Sequence, residues 1–242
     1  MLKRIVGAAV CLFVLMVLGS TGALAGGSKF KDYDAAFKAA QKSGKPLFVL
    51  SYMLYPVKSS DNPDNKAEFD AALAADKEMS AEAAKFELGA VNVYSNAAGY
   101  NNQFVDSSQT TKHGWPCTVR VYFPGSKKHV FEKSLTKYGM GSPTPNLSKE
   151  AASEVLKEAV VAVDKLAAPV NEILKSIKDD KALKKDVDTQ LKLVAVYEAC
   201  FQAVEARAAY DTAIKLIKKA DKEDSRIADL TFAAAEFEAK CE

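Results

Sequence analysis

The sequence changes character near residue 168, and this change limits the folds that the chain can adopt. Before it, short apolar runs typical of strands alternate with helical patterns, and after it every periodic signal is helical. Alternating strands and helices predict a layered α/β domain, and helices with one apolar stripe each must pack against another element. We expect an α/β domain over residues 29–167 and an all-α C-terminal extension over residues 170–242, with Pro169 interrupting the helical run between them.

Four segments of the first part have strand character. Residues 46–52 form a short apolar run with the composition of a buried strand, and residues 90–94 form a second. Residues 118–123 show the alternating side-chain pattern of a strand and are rich in β-branched side chains. Residues 129–131 follow a Pro-Gly turn and are predicted to pair with them as a hairpin. Helices are predicted over residues 32–42, over residues 66–86, and after a cap at Ser148. The order predicts an α/β layer and not an all-β sandwich.

The first 25 residues have the composition of a secretory signal peptide. Lys3 and Arg4 precede an apolar stretch over residues 5–18, and small residues follow at 23–25. The alternative is a membrane anchor, but the stretch is shorter than the roughly 20 residues that a spanning helix needs. We therefore expect a periplasmic or secreted protein with no stable membrane anchor once the signal is cleaved.

Charge and composition exclude several classes of function. The net charge of +2 falls to near zero when Lys3 and Arg4 leave with the signal peptide. A near-neutral chain lacks the basic surface that nucleic acid binding requires, so we expect no nucleic acid partner. Only two histidines occur, and no Cys or His cluster has zinc-site spacing. Since phosphate-binding Gly-rich loops are also missing, we expect no metal and no other cofactor.

Three cysteines remain after the signal peptide, namely Cys117, Cys200 and Cys241. An exported protein meets an oxidising compartment, where thiols tend to pair, and an odd number leaves at least one unpaired in the monomer. A Cys200–Cys241 disulfide would close a loop of about 40 residues and stabilise the fold by roughly 3–4 kcal/mol. The alternative is that Cys200 and Cys241 are two buried free thiols that act as small apolar side chains.

Two segments resemble a known family. Residues 45–52 (KPLFVLSY) are similar to the opening strand of a thioredoxin-type domain, and residues 113–119 (HGWPCTV) are similar to its cis-proline loop. Over about residues 30–166 the chain resembles thioredoxin-like domains of the bacterial exported type. The resemblance implies a thioredoxin-like α/β domain, with sheet and helices in three layers, in front of the all-α helical extension.

The segment between these two departs from the family pattern. Counting from Pro46, Tyr55 stands at the position of the aromatic that precedes the first active-site cysteine, while Pro56 and Ser59 stand at the two cysteine positions. Dithiol exchange needs one thiolate to attack and a second thiol to resolve the mixed disulfide. Because no cysteine lies between residues 12 and 116, the resemblance implies a framework that lacks the Cys-x-x-Cys active site and its dithiol chemistry.

The resemblance also implies a binding surface. In the family, the residue before the cis-proline offers backbone groups to an extended peptide, which adds to the sheet as a strand. Trp115 and Pro116 would take this role here, beside Tyr55, Pro56 and Ser59. The chain is therefore interpreted as a redox-inactive module that binds a peptide or protein partner. The alternative reading of Trp115 is that its ring only packs over the sheet edge.

Two other classes of function remain open on the sequence alone. The first is a single-cysteine thiol oxidoreductase or peroxidase that uses Cys117, with His113 four residues earlier as its partner. Against this alternative, a cysteine directly followed by β-branched strand residues is more often buried and inert. The second is a structural role in which the C-terminal helices form a homo-oligomer and the α/β domain acts as a spacer.

Overall fold

The structure, a computed structural model, describes residues 29–52, 64–93, 112–113, 117–135 and 147–241. These residues form a five-stranded mixed sheet and seven α-helices, and most of them are helical. The predicted α/β class is confirmed. The signal peptide predicted over residues 1–25 lies outside the described residues and stays a prediction.

The sheet is built around one buried strand. Its strands are β1 (Lys31–Asp32), β2 (Leu47–Tyr52), β3 (Glu87–Asn92), β4 (Thr118–Tyr122) and β5 (His129–Ser134). Their spatial order is β1-β3-β2-β4-β5; the first three run parallel, β4 is antiparallel to β2, and β5 is antiparallel to β4. The central position of β2 explains its nearly continuous apolar run, since both of its faces are covered.

The helices are α1 (Tyr33–Ser43), α2 (Asn65–Ala75), α3 (Lys77–Ala83), α4 (Lys149–Asp179), α5 (Val187–Ala199), α6 (Ala203–Ala220) and α7 (Arg226–Cys241), with a 3-10 helix at Lys181–Lys185. The single helix predicted over residues 66–86 is wrong, because the chain breaks at Asp76. This residue has extended backbone, and its carboxylate accepts hydrogen bonds from the amides of Glu78 and Met79. Asp76 thus caps the start of α3.

Helices cover both faces of the sheet. On one face, α1 packs through Ala36 and Ala40 against side chains of β2 and β4, namely Leu47, Val49 and Tyr122. Gly89 of β3 permits this close approach, because a Cβ atom there would lie only 3.0 Å from the Cβ of Ala36. On the other face, α2, α3 and α4 bury the main core, whose largest fully buried members are Phe48, Leu50, Phe69, Leu73, Met79, Phe123 and Leu156.

The expected interruption at Pro169 is wrong, since α4 continues through this residue to Asp179. Proline removes one amide donor from a helix interior, which costs about 3 kcal/mol, so other contacts must hold the helix together. Val170 is buried in the main core directly after the proline, and the Cys200 thiol donates a hydrogen bond to the carbonyl of Leu166 at 3.7 Å. The boundary predicted between residues 167 and 170 therefore falls inside one continuous helix.

The extension after α4 is helical, and its helices pack mainly on one another. One cluster joins α5, α6 and α7 through Leu193, Val194, Ala209, Tyr210 and Ala234, and a second consists of Ala206, Phe237 and Cys241. Cys200 belongs instead to the main core, which ties the end of α5 to the α/β layer. No helix in the described part of the chain is both long and apolar enough to cross a bilayer. Self-association through these helices stays a prediction.

Candidate functional site

The site begins where β2 ends and β4 starts. The two strands are antiparallel neighbours, and Ser51 is paired with Thr118. Directly before β4, the amide of Cys117 donates to the carbonyl of Ser51 at 2.7 Å. Ser51, near the end of β2, and Cys117, directly after Trp115 and Pro116 in the sequence, are therefore adjacent. The arrangement of five predicted site residues stays a prediction, because they lie outside the described residues. They are Tyr55, Pro56, Ser59, Trp115 and Pro116.

Ser51 holds both ends of the segment from His113 to Cys117. Its side chain is fully buried, so its hydroxyl must find a partner inside the protein. The hydroxyl donates to the backbone carbonyl of His113, while the carbonyl of Ser51 accepts from Cys117. On the outer side, the amide of Leu135 donates to the carbonyl of Cys117 at 2.7 Å. The segment that carries Trp115 and Pro116 is thus anchored at both ends to the central strand.

Cys117 is fully buried, with 0% of its surface exposed. Its φ angle is 58°, a left-handed conformation that costs a residue with a side chain about 1–2 kcal/mol. The hydrogen bonds of its amide and carbonyl hold this conformation in place. A nucleophilic thiol must be reached by its substrate, and the structure keeps the Cys117 side chain inside the protein.

His113 is 3% exposed, and its ring lies edge-on against Tyr33 with 4.5 Å between the ring centroids. Its Nδ1 atom has no hydrogen-bond partner among the described residues. Burial lowers the pKa of His113 to about 4, with smaller contributions from the positive charges of Lys112 and Arg120. The imidazole is therefore neutral near pH 7 and supplies no positive charge to a neighbouring thiolate.

A polar network on the α1 face of the sheet holds Lys112, the residue directly before His113. Arg120 of β4 donates through Nη1 to the carbonyl of Lys112 at 2.7 Å and through Nε to the carboxylate of Glu132. The Lys112 ammonium lies over the ring of Tyr33, 5.7 Å from its centroid. Tyr122 lies in the same region, and burial raises its pKa to about 12. Lys112 is thereby fixed to both β4 and α1.

Sequence reasoning missed Ser51, Tyr33 and Arg120 as parts of the site. One of the three has a signal in the sequence, because Ser51 is a polar residue in an otherwise apolar run predicted to be a buried strand. A buried hydroxyl implies a specific partner, although the sequence does not identify that partner. Tyr33 and Arg120 have no such signal, because their roles depend on how α1 and β4 pack in the folded protein.

The other two cysteines form no disulfide in the structure. Cys200 and Cys241 are both free and buried, as in the second of the two alternatives, and they belong to different clusters. Burial raises the pKa of the Cys200 thiol to about 11 and also raises the pKa of Cys241. Both thiols are therefore protonated at neutral pH and act as small apolar side chains.

Comparisons with family models, curated proteins and solved structures give no match for this chain. Among the described residues, no group of three or more His, Cys, Asp or Glu side chains is placed to hold a metal ion.

Proposed function

We propose that this protein is an exported, redox-inactive thioredoxin-like module that binds an extended segment of a peptide or protein. The mixed sheet with helices on both faces agrees with the fold that the resemblance implies. The chain has no cysteine between residues 12 and 116, so the surface beside β2 has no dithiol to offer. Binding of this kind needs no cofactor.

One observation carries the proposal: Ser51 hydrogen-bonds both His113 and Cys117. A peptide that adds as a strand bonds mainly to backbone groups of its receptor, and these groups must be held in fixed positions to give affinity. The two bonds of Ser51 hold the carbonyl of His113 and the amide of Cys117, one at each end of the segment, in fixed positions beside β2. Trp115 would then supply apolar contact area next to the fixed backbone.

The enzymatic alternative is less well supported. A single-cysteine oxidoreductase needs an accessible thiolate, usually stabilised by a nearby positive charge. Cys117 is fully buried, and the depressed pKa of His113 leaves its imidazole neutral at physiological pH. In an insulin-reduction assay we expect the purified protein and a Cys117→Ala variant to give the same background rate. Turnover by the wild-type protein that the variant lacks would favour the enzyme.

The binding proposal is tested with the only tryptophan of the chain. Peptides selected from a displayed library against the full protein are titrated while Trp115 emission is recorded. We expect a saturable change in emission, and we expect a Trp115→Phe variant to lose the signal. Selected peptides that bind without changing Trp115 emission would bind elsewhere and would contradict the proposal, as would a library that gives no binders.

A further inference from the structure

Two consecutive backbone carbonyls just before Trp115 in the sequence accept hydrogen bonds from side chains of the central strands. Lys112 and His113, which carry them, have helical backbone. The Lys112 carbonyl accepts from Nη1 of Arg120 in β4 at 2.7 Å, and the His113 carbonyl accepts from the hydroxyl of Ser51 in β2. Since β2 and β4 are paired neighbours, one edge of the sheet holds both carbonyls.

Helical backbone alone does not supply donors for these two carbonyls. In an α-helix each carbonyl accepts from the amide four residues later, which is residue 116 for Lys112 and residue 117 for His113. Residue 116 is a proline and has no amide hydrogen, and the amide of Cys117 donates to the carbonyl of Ser51. Side chains of the strands therefore stand in for both of the missing helical donors.

The guanidinium of Arg120 is itself held in one orientation. The side chain is only 13% exposed, and its Nε donates to the carboxylate of Glu132 in β5. The guanidinium also hydrogen-bonds the hydroxyl of Tyr122. Because the group is a rigid planar fork of donors, these contacts fix the direction in which Nη1 meets the Lys112 carbonyl. The single ammonium of a lysine lacks that geometry.

We propose that Arg120 is a positioning residue of the peptide site, because it holds the backbone from which the chain runs on to Trp115. The inference rests on the proposed function, and it assigns part of the affinity to a residue that acts through Lys112. Receptor backbone that is already in its binding position loses less conformational entropy when a peptide adds to it as a strand. Loss of the Arg120 contact therefore weakens binding while the peptide keeps its own contacts.

The test compares Arg120→Gln and Arg120→Lys with a matched control in the same hairpin. The control is Lys133→Gln, which removes the ion pairs of β5 with Glu154 and Glu158 of α4 on the opposite face of the sheet. We expect both Arg120 variants to bind the library-selected peptide about tenfold more weakly than wild type, and the control to bind as wild type does. Arg120→Lys keeps the positive charge, so an equal loss in both variants assigns the effect to geometry.

A second readout needs no peptide. Fluorescence anisotropy of Trp115, the only tryptophan of the chain, reports how freely its segment moves in the folded protein. We expect lower anisotropy in both Arg120 variants than in wild type and in Lys133→Gln, under conditions where urea unfolding shows every variant to be folded. A merely structural contribution of Arg120 would change the unfolding midpoint and leave the anisotropy as it is.

The inference is overturned if the Arg120 variants keep either the wild-type peptide Kd or the wild-type anisotropy, or if Arg120→Lys behaves as wild type does. Peptide binding by the wild-type protein would then still support the proposed function. A wild-type protein that binds no peptide would contradict the proposed function, and with it the role of Arg120 in binding.

Discussion

The hydroxyl of Ser51 donates a hydrogen bond to the backbone carbonyl of His113, and both residues are buried. This bond joins His113, two residues before Trp115 in the sequence, to the central strand of the sheet. Together with the bond from the amide of Cys117 to the carbonyl of Ser51, it makes one strand residue the hydrogen-bond partner of both His113 and Cys117.

Replacing Ser51 with Ala should destabilise the protein by about 1–3 kcal/mol, because the buried carbonyl of His113 loses its donor. The volume change is small, so the cost comes from the missing hydrogen bond rather than from a cavity. Urea unfolding measures the loss. The control is Ser176→Ala, which removes a comparable hydroxyl-to-carbonyl bond on the exposed surface of α4 and should cost far less. Equal costs for the two variants would show that Ser51 is not an anchor.

The stability of the protein should fall as the pH is lowered through the range set by His113. The folded state keeps the pKa of this imidazole at about 4, whereas in the unfolded chain it is about 6.5. The unfolded state therefore binds a proton first, and stability is lost between pH 6.5 and pH 4. Over this range the wild-type protein should lose roughly 3 kcal/mol more than a His113→Gln variant does.

Urea unfolding at a series of pH values measures this difference. The control is His129→Gln, since His129 is exposed to solvent and its replacement should change the pH dependence much less. If the wild-type protein and the His113→Gln variant have parallel pH profiles, His113 is not buried in its neutral form.

At position 201, glycine should give a more stable protein than alanine, which is the reverse of their order at ordinary helical positions. It has a left-handed backbone after α5, where the amide of Gln202 donates to the carbonyl of Tyr197, and glycine is the preferred residue in such a motif. Both Phe201→Gly and Phe201→Ala lose the ring, but only Ala keeps the strain. The Gly variant should be more stable by about 1 kcal/mol in chemical unfolding.

Lys215, in the exposed interior of α6, provides the matched control for this comparison. There Ala should be more stable than Gly by about 1 kcal/mol, as in an ordinary helix. If Ala is also the more stable residue at position 201, the left-handed backbone is not maintained in solution.

The unfolding midpoint of the protein should not change when a reductant is added. Cys200 packs in the main core and Cys241 in a separate cluster, and both are free thiols. A disulfide between them would contribute roughly 3–4 kcal/mol, which is easily measured. Thiol titration of the unfolded protein without reductant should detect both cysteines. A reductant-sensitive midpoint that Cys241→Ser abolishes would indicate a disulfide instead.

The sequence predicted the elements with strong local signals. The apolar run of β2, the hairpin of β4 and β5 and the cap at Ser148 depend on nearby residues, and all three occur in the structure. The strand β3 was placed about three residues late, because Glu87 and Gly89 have low strand propensity. Gly89 is in the strand because α1 packs so closely over it, and this tertiary contact leaves no local pattern.

Long-range contacts explain the remaining differences. Pro169 predicts a helix end by local rules, but the burial of Val170 in the main core and the hydrogen bond from the Cys200 thiol, 34 residues after Leu166, hold the helix together. The partnership of Ser51 with His113 spans 62 residues, so a local pattern identifies the polar residue but not its partner.

The central claim is that the end of β2 presents a binding surface that works without thiol chemistry. Calorimetry with a library-selected peptide tests it by comparing three proteins: wild type, Cys117→Ala and Trp115→Ala. We expect wild type and Cys117→Ala to bind with the same Kd, and we expect Trp115→Ala to bind at least about tenfold more weakly, as for a central aromatic anchor. Binding that disappears in Cys117→Ala, or that is unchanged in Trp115→Ala, would contradict the account.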